Sequence, residues 1–191
     1  QPETETCDAI LQAWYPGQEG GTAVADVLFG DYNPSGKLPV TFYKNVKQLP
    51  DYEDYTMTNR TYRYFKDEPL FPFGYGLSYT QFKISKPKYN AKKGIVTVNV
   101  TNVGSRYGEE TVQVYMRRLA DVGGPLKSLR AYRQVSLKAG ETKTIQIPFA
   151  GKDFETWDEN TNTMRVVKGK HELMVGSSSK DTDLQRLIVN L

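Results

Sequence analysis

The stretch GIVTVNVTN, residues 94–102, decides the fold. Val96, Val98 and Val100 alternate with Thr97, Asn99 and Thr101, so a strand here would carry a valine face and a polar face. The pattern recurs downstream. ETVQVYM (110–116) places Val112, Val114 and Met116 on one side, and TIQIPF (144–149) does the same with Ile145, Ile147 and Phe149. KHELMVG (170–176) and QRLIVNL (185–191) are two more strand candidates. KAGE (138–141), between RQVSL and TKTIQI, reads as the tight turn of a hairpin. About seven short strands separated by turn residues, with no helical period among them, predict an antiparallel β-sandwich over 81–191.

Upstream the pattern changes. AILQAWYPG (9–17) reads as a short buried strand ending at a Pro-Gly turn. In QEGGTAVADVLFG (18–30), Ala23 with Val27 and Val24 with Leu28 lie four residues apart, one apolar helical face, and Gly30 is placed to stop the helix. LPVTFY (38–43) reads as a second strand after the turn residues DYNPSGK. Residues 1–45 are thus expected to form strand–helix–strand. Two strands and one helix cannot bury both faces of a sheet, so this piece is expected to be the end of a larger α/β domain.

Between these regions, residues 46–80 hold six tyrosines and three phenylalanines. Aromatic rings bury large areas at low rotamer cost. Prolines and glycines, as in PLFPFGYGLSY (69–79), let the chain bend. The segment is expected to be an interdomain strap packed onto both neighbours, with the sandwich beginning near residue 81.

Charge and composition narrow the function. The net charge of +3 divides as −4 over 1–45, −1 over 46–80 and +8 over 81–191. The lysines of the third region look dispersed in the sequence, which favours a solvated basic surface over a nucleic-acid site. No run is apolar and long enough to span a bilayer as a helix. The opening residues do not form a signal peptide. Cys7 is the one cysteine and His171 the one histidine, too few for an internal disulfide or a zinc site, and His171 lies in a strand of what reads as another domain, away from Cys7 as a thiol partner. Cys7 is expected to be structural. No metal and no cofactor is expected.

Several long motifs resemble the C-terminal half of glycoside hydrolase family 3. They are YPGQEGGTAVADVLFGDYNPSGKLPVTFY (15–43), NRTYRYF (59–65) and PLFPFGYGLSYTQF (69–82). SLRAYRQVSLKAGETKTIQIPF (128–149) and VVKGKHELMVGSSSKD (166–181) resemble the fibronectin type III-like domain that closes many members. The resemblance implies an α+β chain: the end of an α/β sandwich domain, then an immunoglobulin-like β-sandwich. It also implies a parent enzyme that hydrolyses β-linked sugars from the non-reducing end with retention. In that family a (β/α)₈ barrel carries the aspartate nucleophile, and the α/β domain carries the glutamate acid/base in many members. Retention needs two carboxyl groups about 5–5.5 Å apart, one attacking the anomeric carbon and one serving as acid then base.

This sequence holds no barrel, and Glu3 and Glu5 match no catalytic motif. No residue here is expected to be catalytic, and the chain alone is expected to be inactive. The missing barrel and α/β domain are its expected partners, with a secreted or periplasmic parent and no nucleic-acid or membrane partner. NRTYRYF leans toward the β-xylosidase branch, a xylosidase/arabinosidase included, over β-glucosidase. Candidate substrate-adjacent residues are Gln18, Glu19, Arg60 and Tyr62. For Glu19, a place in the first turn of the helix offers a structural role through the helix dipole. For Arg60 and Arg63, holding the strap to carboxylates of the α/β domain is the structural alternative. Two other functions remain open: a carbohydrate-binding sandwich with exposed aromatics, and a scaffold that braces domains or mediates homodimerisation.

Overall fold

The computed structural model describes residues 2–191, of which Pro2 and Glu3 are described by their backbone alone. Nine strands follow three short helices. The helices are α1 (Pro2–Thr6), α2 (Gly20–Phe29) and α3 (Thr61–Tyr64). The strands are β1 (Phe82–Asn90), β2 (Ile95–Asn102), β3 (Gly108–Arg118), β4 (Ser128–Leu137), β5 (Thr142–Pro148), β6 (Glu155–Asp158), β7 (Thr163–Val166), β8 (Lys170–Gly176) and β9 (Leu184–Asn190).

Seven strands build two antiparallel sheets, ordered β1-β2-β5 and β4-β3-β8-β9, while β6 and β7 form a separate hairpin. The inward rows are those of the sequence pattern. Val96, Val98, Val100, Ile145, Ile147 and Phe149 from one sheet meet Val112, Val114, Met116, Leu137, Leu173 and Val175 from the other. His171 joins this core, fully buried, with its ring 5.7 Å from that of Phe154. Its Nδ1 faces the Gly169 carbonyl at 3.1 Å, and burial pushes its pKa below the ordinary 6.5.

KAGE is a turn but not a hairpin. β4 pairs with β3 and β5 with β2, so the turn carries the chain from one sheet to the other. A hairpin and an intersheet arch share turn chemistry and inward alternation; they differ only in which neighbour completes the ladder. Asn102 fixes the arch. Its backbone accepts from Gly140 N (3.0 Å) and donates to the Glu141 carbonyl (2.9 Å). Its buried amide donates to the carbonyls of Arg106 (2.7 Å) and Leu137 (3.2 Å).

The first forty residues depart from strand–helix–strand. α2 forms and stops at Gly30, whose φ of 83° is left-handed. Residues 9–15 carry no strand, and 38–43 carry only an isolated antiparallel bridge, Phe42 with Phe71. A strand is defined by its ladder, and these segments have no sheet beside them here. The apolar face of α2 is likewise only partly covered: Val24 and Val27 are half-buried, none of the helix residues is buried, and Leu28 and the neighbouring Phe29 are 67% and 84% exposed. Cys7 is also exposed, not packed into a core.

Candidate functional site

The strap lies on the outer face of the four-stranded sheet. Val112, Val114 and Met116 point into the core, so Gln113 and Tyr115 of the same strand point out, yet both are buried. Aromatic packing covers them. Tyr62 stacks on Phe73 with ring centroids 4.1 Å apart, and both meet the edge of Tyr115, at 5.8 and 6.4 Å. Met174 and Leu184 complete this second apolar cluster.

Backbone groups of the strap are satisfied on both sides, as a buried irregular segment requires. Ser179 N donates to the Phe73 carbonyl (2.9 Å), and Leu126 N to that of Arg63 (2.6 Å). Gln113 Nε2 donates to the carbonyls of Gly74 (3.0 Å) and Ser177 (2.7 Å). Toward α2, Phe42 N donates to the Phe71 carbonyl (2.9 Å) and Gly74 N to that of Leu38 (2.7 Å). Asn33 accepts from Ser78 Oγ and Tyr79 N, and donates to the Tyr107 carbonyl. Gly74 is required at its place: φ is 79°, and a Cβ would sit 2.1 Å from Gln113 Oε1.

Between strap and sheet opens a cleft of about 520 Å³, lined among others by Tyr62, Phe71, Tyr75, Arg117, Lys127 and Arg186. Two of its acids, Glu68 and Asp181, are engaged by cations. Asp181 takes Lys127 Nζ at 2.6 Å and Arg186 Nη2 at 2.9 Å; burial raises its pKa, but these partners outweigh that and hold it below the ordinary value. The hydrogen bond from Lys44 Nζ, at 2.7 Å, holds Glu68 low as well. A general acid needs the opposite shift, a carboxyl that keeps its proton near neutrality. Glu110 is pushed up by burial, but it is locked to Lys37 Nζ at 2.8 Å and to Thr111 N at 2.8 Å.

The four candidate residues do not converge. Gln18 and Glu19 are exposed; Glu19 stands at the N-cap of α2 without a side-chain capping bond and accepts from Thr22 Oγ1 at 3.3 Å. Arg60 does not reach a carboxylate in a hydrogen bond. Its guanidinium donates to the backbone carbonyls of Asp51, Asp54 and Thr56, tying a loop of the strap to itself. Tyr62 is the aromatic anchor described above, and its hydroxyl accepts from Leu129 N at 3.0 Å. Arg63 holds the strap to the sandwich, through Ser128 Oγ at 3.2 Å. Sequence reasoning missed the Lys37–Glu110 pair because Glu110 falls on the inward row with Val112 and Val114, where no charge is expected, and it missed Gln113 because alternation assigns the outward face of β3 to solvent. The aromatic density of the strap was the available signal that something covers it.

This arrangement, a helix-bearing segment strapped to a β-sandwich, has counterparts among known proteins. The family description "Glycosyl hydrolase family 3 C-terminal domain" matches residues 1–79, and "Fibronectin type III-like domain" matches residues 110–179. The chain belongs to the C-terminal part of glycosyl hydrolase family 3. A xylan 1,4-β-xylosidase of Xylanibacter ruminicola is 59% identical over 195 residues, covering 100% of this chain and 22% of the relative. A periplasmic β-glucosidase of Salmonella typhimurium is 40% identical over 196 residues, covering 93% and 26%. The solved β-glucosidase of Kluyveromyces marxianus superposes with a TM-score of 0.86 at 33% identity, covering 100% of this chain and 25% of that one. The family 3 region seen here therefore spans about a quarter of the length of these relatives.

Proposed function

We propose that this chain is the C-terminal part of a retaining, exo-acting β-glycosidase acting on β-xylosides, and that it braces the catalytic domains rather than contributing a catalytic group. The observation that carries the proposal is the pairing of exposed apolar side chains upstream of the strap with a strap whose aromatic anchors are packed on the sandwich. Ile10, Leu11, Trp14, Leu28 and Phe29 stand exposed, while Tyr62 and Phe73 of the strap pack on the sandwich. Residues 9–15 and 38–43 then become edge strands when upstream sheet strands pair with them, with residues 1–45, 46–80 and 81–191 as remnant, strap and sandwich.

In such an enzyme the two carboxyl groups lie on the upstream portion. The strap positions the α/β remnant, and Gln18 and Glu19, which project from it, are the residues of this chain placed to approach a sugar. The name of the relative from X. ruminicola favours xylosides and xylan breakdown in a bacterium; those of the β-glucosidase relatives make β-glucosides the second reading. The periplasmic relative favours an exported parent.

Reconstitution with the upstream portion of the parent tests both points. Aryl β-xyloside should be cleaved faster than aryl β-glucoside, and the 191-residue chain alone should cleave neither. Activity in the chain alone, or none on either substrate after reconstitution, overturns the proposal.

A further inference from the structure

Lysines that look dispersed in the sequence are gathered by the fold. Lys83, Lys86 and Lys88 lie on β1, the edge strand of the three-stranded sheet, where Gln185 of β9 donates to the Ile84 carbonyl, and Lys92 and Lys93 lie in the turn that leads from β1 to β2. All five are exposed, and among the described residues their ammonium groups make no hydrogen bond and no ion pair. Lys83 stands opposite Thr101 and Lys88 opposite Thr97. These partners are four positions apart on β2, so the two lysines are about 13 Å apart along the edge. Lys92 and Lys93 extend the row past the start of β2.

The sheet beside this row is uncharged on its outer face. β1, β2 and β5 contain no aspartate or glutamate. Hydroxyl and amide groups run across it in register: Thr144 Oγ1 donates to Asn99 Oδ1 at 2.9 Å, and Thr101 and Thr142 share a hydrogen bond of 2.8 Å. Glu141, at one end, is engaged by Lys143 and the Lys138 amide. None of the exposed large apolar side chains belongs to these three strands. Edge protection explains charged residues, a bulge and a proline on β1, since each discourages a foreign strand from pairing. It does not explain Lys92 and Lys93, which lie beyond the ladder, or a whole face free of acids.

We propose that this face is a docking surface for a polysaccharide carrying carboxylates at intervals along an otherwise neutral chain. The separated monocations suit sparse charges, and the hydroxyl–amide rows between them suit sugar hydroxyls. A densely charged polyanion would leave those rows unused. A lipid surface would find no apolar side chain to bury. The position fits attachment to a larger enzyme. The strap lies against the opposite sheet, so a domain seated on the strap leaves the lysine face open.

The test is retention of the full 191-residue chain in affinity gels or on immobilised polymer. The probes are a xylan bearing glucuronate side groups, the same xylan after reduction of its carboxyls, dextran sulfate, and vesicles containing anionic phospholipid. Binding to the glucuronate polymer is expected to weaken at least about tenfold when all five lysines become glutamine, and to weaken as salt rises from about 50 to about 200 mM. A control variant with Lys47, Lys66, Lys138, Lys152 and Lys168 changed to glutamine alters net charge equally and should bind as the parent does. Arginine at the five edge positions should retain binding, and separates loss of charge from loss of fold. Undiminished binding to the carboxyl-reduced xylan, stronger binding to vesicles or dextran sulfate, or equal losses in the two glutamine variants would overturn the proposal.

Discussion

Replacing Lys37 with methionine should destabilise the chain in a manner that depends on pH, and the size of the effect follows from one buried ion pair. Lys37 Nζ lies 2.8 Å from Glu110 Oε1, with the two side chains 15% and 9% exposed. Removing one partner of such a pair generally costs about 3–5 kcal/mol, because the other is left charged and buried. Protonation caps that cost here. The carboxyl can shed its charge for the price of binding a proton, and from its ordinary value of 4.5 to pH 7 that is roughly 2.5 pH units, about 3.4 kcal/mol. At pH 5 the same step costs about 0.7 kcal/mol. The sign is fixed by burial, which raises the folded-state pKa of Glu110 above the unfolded value. The neutral form is therefore favoured in the fold, and the stability it contributes is present below 4.5 and lost as pH rises through the raised value. Lys37→Met should cost about 3 kcal/mol at pH 7 and under about 1 kcal/mol at pH 5. Glu110→Gln in the same background should recover most of the loss at pH 7. Urea unfolding followed by tryptophan fluorescence at the two pH values measures both. Equal losses at pH 5 and 7, or no loss at pH 7, would refute the reasoning.

Four further outcomes are expected. Gly74→Ala forces a Cβ against Gln113 Oε1 at a left-handed backbone position, and should lower stability by about 2 kcal/mol or more in the same urea assay. Tyr62→Ala removes the ring stacked between Phe73 and Tyr115 and should cost about 3 kcal/mol, whereas Tyr62→Phe loses one hydrogen bond from Leu129 N, about 1 kcal/mol. In a reconstituted parent, Tyr62→Phe should leave KM for an aryl xyloside unchanged; a marked rise would mean that the hydroxyl meets sugar. Finally, burial depresses His171 below 6.5, so the unfolded chain takes up a proton first as pH falls, and stability should decline from pH 6.5 downward. His171→Leu should flatten that decline in thermal melts across the window, and an unchanged slope would show that His171 titrates alike in both states.

The sandwich was legible because its signal is local and redundant: Val96, Val98 and Val100 point inward whatever else the chain does, and the same holds for Ile145 and Ile147. The arch at KAGE was not, since the residues of a turn do not say which strand lies beside the next one. Strand character at 9–15 and 38–43 depends on partners outside the segment, and only the single Phe42–Phe71 bridge is present to supply one. The candidate site was the least legible part. Arg60 and Tyr62 have side chains that suit sugars, and the same properties suit a strap: Arg60 gathers three of its own carbonyls and Tyr62 fills a gap on a sheet. Residue type alone does not separate the two uses. The lysine edge shows the reverse case, where charges spaced unevenly in sequence fall into a row once β1 bends at its bulge between Ser85 and Lys88.

The strap is fastened twice, through Phe42 and Leu38 to the helix-bearing segment and through Ser179, Leu126 and Gln113 to the sandwich. Its exposed stretch around Tyr52 and Tyr55 lies outside both sets of fastenings. A protease cutting there would sever the polypeptide without separating its halves. Nicked material would elute as one particle under native conditions and fall into two only in denaturant.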